Sequence, residues 1–141
     1  MNPLLQRVTA LLSLSLVLTA TTPAQAADTP ASLQAGWLAE AQKSEPGFKS
    51  FSAARGETLF RNTHGGDWSC STCHTAKPTQ TGKHEVTGKL IQPLAPTANA
   101  ERFSDSAKVE KWFRRNCNDV LKRACTPQEK GDVVAWLLSV K

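Results

Sequence analysis

Apolar positions along the chain fall into one long uncharged run near the start and then into shorter segments with helical spacing. The run from Val8 to Ala20 follows Arg7 and leads into Thr21-Thr22-Pro23-Ala24-Gln25-Ala26. A basic residue, a leucine-rich stretch too short for a bilayer and an A-x-A ending at Ala26 predict a secretory signal peptide over residues 1–26. Residues 27–141 are then the mature chain, one small domain. No cysteine stands near the cleavage point, which argues against a lipid anchor, and no later stretch reads as a membrane span. The expected location is the periplasm.

Asp28-Thr29-Pro30 predicts a helix start, with a capping side chain and proline at the first helical position. Leu33, Trp37, Leu38 and Ala41 then form a stripe that ends before Pro46-Gly47. This extra N-terminal helix is expected to lie on the outside of the core. A second helix is predicted from about Ser52 to Asn62. Its Gly56 is about 1 kcal/mol worse than alanine inside a helix, so the close approach of another helix is expected there. Asn62 to Ser69 reads as a loop. Ser104 or Asp105 caps a third helix that runs to about Cys117. Thr126-Pro127-Gln128-Glu129 is a capping box opening a last helix, with Val133, Trp136, Leu137 and Val140 on one face. The fold class is all-α. Between Thr75 and Ala100, Pro78, Gly82, Gly88, Pro93 and Pro96 break any period, and a segment of that length usually carries function or wraps a ligand. Leu90 to Pro96 is its apolar part, suited to covering the edge of a ligand.

Composition changes this picture little. The net charge of +5 comes from 17 basic and 12 acidic residues, scattered among one another, which reads as a solvated surface. No aromatic-interleaved basic stripe points to nucleic acid. A chain this small is marginal without help, which a large bound apolar group would supply.

Such a group is indicated by Cys70-Ser71-Thr72-Cys73-His74. Two thiols three positions apart, with histidine directly after the second, form the attachment pattern of a c-type haem. Cys70 and Cys73 would form thioethers to one covalent haem c, and His74 would be the proximal ligand. A disulfide redox pair or half a zinc site are the alternatives for a bare C-x-x-C. The adjacent histidine, the export signal and the lack of a second cysteine pair of metal type weigh against both.

Cys117 and Cys125 remain, and in an exported chain a disulfide is the default, with two free buried thiols as the alternative. The chain-entropy contribution of so short a loop is roughly 2.5 kcal/mol. For the far side of the iron, methionine is excluded, because Met1 leaves with the signal. His64 and His84 are nitrogen candidates, each in a loop. The third helix offers another: counting from Val109, the positions of Trp112, Phe113 and Asn116 follow at the spacing of one helical face. The amide oxygen of Asn116 either reaches the iron or caps the helix and bonds to backbone. Asn118 projects with Arg114 and Arg115 toward water. Trp68, Trp112 and Trp136 are expected against the porphyrin or at a helix crossing.

The runs Thr87-Gly88-Lys89, Ile91-Gln92-Pro93-Leu94-Ala95-Pro96, Arg102-Phe103-Ser104-Asp105, Lys108-Val109-Glu110-Lys111-Trp112, Arg115-Asn116-Cys117-Asn118 and Cys125-Thr126-Pro127-Gln128-Glu129-Lys130 carry a resemblance. They are similar to the sphaeroides haem protein family, oxygen-binding monohaem cytochromes c related to cytochrome c″. The resemblance extends from about Thr29 to the C-terminus. It implies a class I cytochrome c-like fold, a sixth iron ligand at Asn116 that is lost on reduction, a Cys117 to Cys125 disulfide, and a redox partner cytochrome, possibly dihaem. Gly56, Phe60 and Trp136 match the glycine and aromatic pair where the first and last core helices of class I cytochromes c meet. An electron carrier or binder of O2, NO or CO is the expected function. A plain bis-histidine electron carrier and a haem enzyme, such as a peroxidase or an NO or O2 reductase, are the alternatives.

Overall fold

The computed structural model describes residues 28–141, so the expected signal peptide lies outside the described residues. Five helices follow in order: α1 Pro30–Ser44, α2 Ala53–Arg61, α3 Cys70–His74, α4 Ser106–Leu121 and α5 Pro127–Ser139. Each begins on a hydroxyl or carboxylate cap. Thr29 and Ser32 form a capping box around Pro30, Ser52 accepts from the Arg55 amide, and Thr126 and Glu129 form the expected box on α5. Asp105, rather than Ser104, caps α4, while Ser104 turns its hydroxyl onto the Glu101 carbonyl.

The core is the crossing of α2 and α5. Phe60 is 1% exposed and its ring lies 4.8 Å from that of Trp136, with Val133, Val134 and Leu137 around them. Gly56 permits this crossing: a Cβ there would overlap the Asp132 carbonyl and the Val133 nitrogen, which are backbone atoms unable to step aside. We expect Gly56→Ala to cost about 3 kcal/mol, the upper end for overpacking. A lower urea midpoint with unchanged slope would show it; an unchanged midpoint would mean that the helices part freely.

Asp132 is 3% exposed yet fully engaged. It accepts from the Ser52 amide at 2.6 Å and from Arg55 Nε and Nη2 at 2.7 and 2.9 Å, neutralising the start of α2 as a carboxylate should. Helix α1 lays Leu33, Trp37 and Ala41 inward and packs on α5. This is the expected outer N-terminal helix, and Asp28 ties its start to that of α4 by accepting from the Ser106 amide at 2.7 Å.

Two features differ from the sequence reading. Helix α4 runs on to Leu121, past the expected end near Cys117, and stops on Lys122 in the left-handed conformation. Asn116 therefore sits inside the helix and does not cap it. The long segment after α3 also contains a small antiparallel ladder, β1 Gly82–Lys83 with β2 Leu90–Ile91, closed by a turn through Gly88. The rest of that segment is fastened by backbone, with the Pro78 carbonyl accepting from Leu94 and Ala95. No helix among the described residues is long and apolar enough to cross a membrane.

Candidate haem site

Cys70, Cys73 and His74 occupy all but two positions of α3, a single capped turn and a little more. Ser69 accepts from the Thr72 amide while the Thr72 hydroxyl accepts from the Ser69 amide, a capping box with threonine in the place usually taken by glutamate or glutamine. The helix ends abruptly after His74, because Thr75 adopts φ 64°, ψ 160°. For a β-branched residue this backbone is strained by on the order of 1–3 kcal/mol. It is held by the Thr75 hydroxyl, which donates to the Lys77 carbonyl at 2.6 Å and accepts from the Lys77 amide. The strain delivers His74 as the last helical side chain, with the following chain turned away.

His74 faces the core, its ring 6.2 Å from that of Phe60. Burial, together with the nearby charges of Arg102 and His84, pushes its pKa down to about 4. The imidazole is thus neutral at physiological pH, the form that ligates a metal. Cys70 and Cys73 are free thiols, although Cys117 and Cys125 are bonded to each other. Burial pushes the Cys70 thiol up to about 11. Cys73 is covered by the β-hairpin: the Glu85 amide donates to its sulfur at 3.4 Å, and a Cβ on Gly82 would collide with its carbonyl. Arg102 braces the next stretch, donating from Nε to the Pro93 carbonyl at 2.8 Å and from Nη2 to that of Gln92 at 2.6 Å.

This donor set fits a c-type haem. Two unpaired thiols and a neutral imidazole share one short helix, and apolar side chains remain partly bare on the adjoining segments: Trp68 at 36%, just before the α3 cap, Leu90 at 73% and Trp112 at 45%, one turn before Asn116. Of the three tryptophans singled out above, only Trp136 is buried at the helix crossing.

Asn116 is half-buried on α4, next to the bonded Cys117. Val109 and Phe113 of its face pack against the core. The two other histidines are engaged elsewhere. His64 donates from Nε2 to the Leu59 carbonyl at 2.9 Å and borders an open cleft between α2 and α5. His84 accepts at Nδ1 from the amides of Val86 and Thr87 and lies near enough to His74 to depress its pKa. One connection that no local pattern announces ties α4 to its neighbours. Glu110 accepts from Trp37 Nε1 at 2.6 Å and from Lys130 Nζ at 2.7 Å. Burial opposes its ionisation, but those two bonds hold its pKa below the usual carboxylate value.

Comparison with known proteins agrees with this chemistry. Residues 46–137 match a family model described as a domain of unknown function, DUF1924. The chain is 51% identical over 120 residues to the cytochrome c-type protein SHP of Cereibacter sphaeroides, covering 82% of this chain and 88% of that protein. It is 46% identical over 80 residues to cytochrome c″ of Methylophilus methylotrophus, 57% of this chain and 56% of that one. The solved structure of oxidised SHP, an oxygen-binding cytochrome c, superposes with a TM-score of 0.70 at 48% identity, covering 79% of this chain and 96% of that chain. Oxidised cytochrome c″ gives a TM-score of 0.70 at 36% identity, covering 79% and 94%. With its C-x-x-C-H helix and the class I-like helical fold of these relatives, the chain belongs to the family of c-type cytochromes that includes SHP and cytochrome c″.

Proposed function

We propose that the chain is a periplasmic carrier of one haem c that passes single electrons and binds a diatomic gas. Cys70 and Cys73 would hold the group covalently, and His74 and Asn116 would be its iron ligands, Asn116 in the oxidised state. When bound, the haem supplies a one-electron couple and, once reduced, an open position for O2, NO or CO.

The observation carrying this reading is the state of the competing side chains. His64 spends its Nε2 on the Leu59 carbonyl, and His84 commits its Nδ1 to the Val86 and Thr87 amides. The side chain of Asn116, inside α4 and not at its end, takes part in none of the described hydrogen bonds. Its amide atoms reach solvent and are committed to no protein group, which leaves them available as a ligand. Its oxygen is hard, neutral and weak-field, so it suits ferric iron and lets go of the softer ferrous ion. The description of SHP as oxygen-binding supports the same reading. A neighbouring cytochrome, dihaem by the family resemblance, is the proposed redox partner, and export by residues 1–26 places both outside the cytoplasm.

Optical spectra of the oxidised, reduced and carbon monoxide-treated protein test this. We expect a high-spin ferrous form that takes up carbon monoxide on mixing. A haem that stays low-spin in both oxidation states and ignores the gas would instead establish two strong-field ligands, and sustained turnover of peroxide or nitric oxide would establish an enzyme.

A further inference from the structure

We infer that Glu110 is a positioning residue for the sixth ligand: its bonds to Trp37 and Lys130 fix the rotation of α4 about its axis and so aim the Asn116 carboxamide. The inference rests on Asn116 being that ligand. Its geometric basis is independent of that reading.

Helix α4 is fastened to its neighbours at two points on one flank. One is Glu110, which receives Lys130 of α5 at 2.7 Å and Trp37 of α1 at 2.6 Å. The other is Cys117, bonded to Cys125 just before α5. At about 100° per residue, positions seven apart fall within about 20° of one another around a helix and about 10 Å apart along it. Two such points hold a cylinder against rolling. Asn116, one residue before Cys117, stands about 100° around from that flank, so a roll of the helix translates directly into displacement of its side chain.

Between the fastenings the flank is not close-packed. A cavity of about 100 Å³ lies there, lined by Glu110, Phe113 and Arg114 on α4 and by Ala124, Cys125 and Lys130 opposite. Apolar interdigitation would fix the rotation of an ordinary core helix. Here the cavity leaves room to roll on that flank, where Phe113, edge-on to Trp37 at 5.6 Å, makes an apolar contact and Val109 packs against the core. The polar clamp therefore sets the angle. Lys130, only 15% exposed at its side chain and 5.8 Å from the Trp37 ring centroid, completes a closed group of three side chains from three helices.

The test compares holoprotein carrying Glu110→Ala, Asn116→Ala and both changes. It reads the affinity of the ferric protein for azide, which competes with Asn116, and the midpoint potential. Glu110→Ala should raise azide affinity about tenfold and raise the midpoint by the equivalent about 59 mV for a one-electron couple. In the Asn116→Ala background it should change neither, because the ligand it aims is gone. Glu110→Gln keeps an acceptor for Trp37 and should fall between wild type and alanine, which also covers failure of the alanine variant to fold. A lower melting temperature with unchanged azide affinity and potential, in a set where Asn116→Ala shifts both, overturns the clamp alone. An Asn116→Ala protein identical to wild type in both readouts overturns the ligand assignment and the clamp with it.

Discussion

Replacing Cys70 and Cys73 together by serine should give a colourless chain after purification, with most of its cooperative thermal transition lost. On the proposed assignment the thiols are the permanent hold; without them the group would depend on His74 and on a weak amide ligand. Binding free energy is folding free energy whenever the unfolded chain does not bind. A group present at a thousand times its dissociation constant contributes about 4 kcal/mol, set against about 5–15 kcal/mol for a typical domain. The apolar core here is small, centred on Phe60, Trp136 and Leu137, with His74 at its border. Circular dichroism melting and the haem-to-protein absorbance ratio measure the outcome. A double variant that keeps its colour and its melting temperature would show that the thiols are dispensable.

The second large effect is expected from Asn116→Ala. If Asn116 is the sixth ligand as proposed, alanine offers no donor, so in the ferric protein water or an added anion would take the position and the ferric form would lose its preferential stabilisation. The midpoint potential should then rise, by about 59 mV for each tenfold of lost ferric ligation, while carbon monoxide binding to the ferrous protein stays near the wild-type level. That pairing is diagnostic, because a general loosening of the fold would disturb both oxidation states. Asn116→His makes the opposite change. A stronger nitrogen donor at the same place should lower the potential and slow the binding of carbon monoxide. If the alanine variant leaves the potential and ferric spectrum as they were, another residue holds the iron.

Much of this architecture was legible because it is local. The box Thr126 to Glu129, the proline after Thr29 and the motif Cys70 to His74 are each written within a few residues. Gly56 was legible for a different reason: a glycine inside a helix is unfavourable enough to demand a neighbour, and Asp132 backbone is that neighbour. What escaped the sequence reading joins distant positions. Arg55 meets Asp132, Asp28 meets Ser106, and Trp37 meets Glu110, each pair more than 70 residues apart, and nothing in either partner's surroundings announces the other. The end of α4 was misread because it lacks the usual glycine; Lys122 itself takes the left-handed conformation, and no stop signal precedes it. The ladder of β1 and β2 was missed because strands of two residues are too short to show alternation.

The fit of the hairpin over α3 bears on how the mature molecule is made. Gly82 rests against the Cys73 carbonyl with no room for a side chain, and the Glu85 amide covers the sulfur itself. A chain that closed this flap first would leave the proposed second attachment point partly screened from any enzyme forming the bond. On the proposed attachment, thioether synthesis would act most readily on a chain still open between His74 and Leu90, with closure of the flap afterwards narrowing access to the linkage.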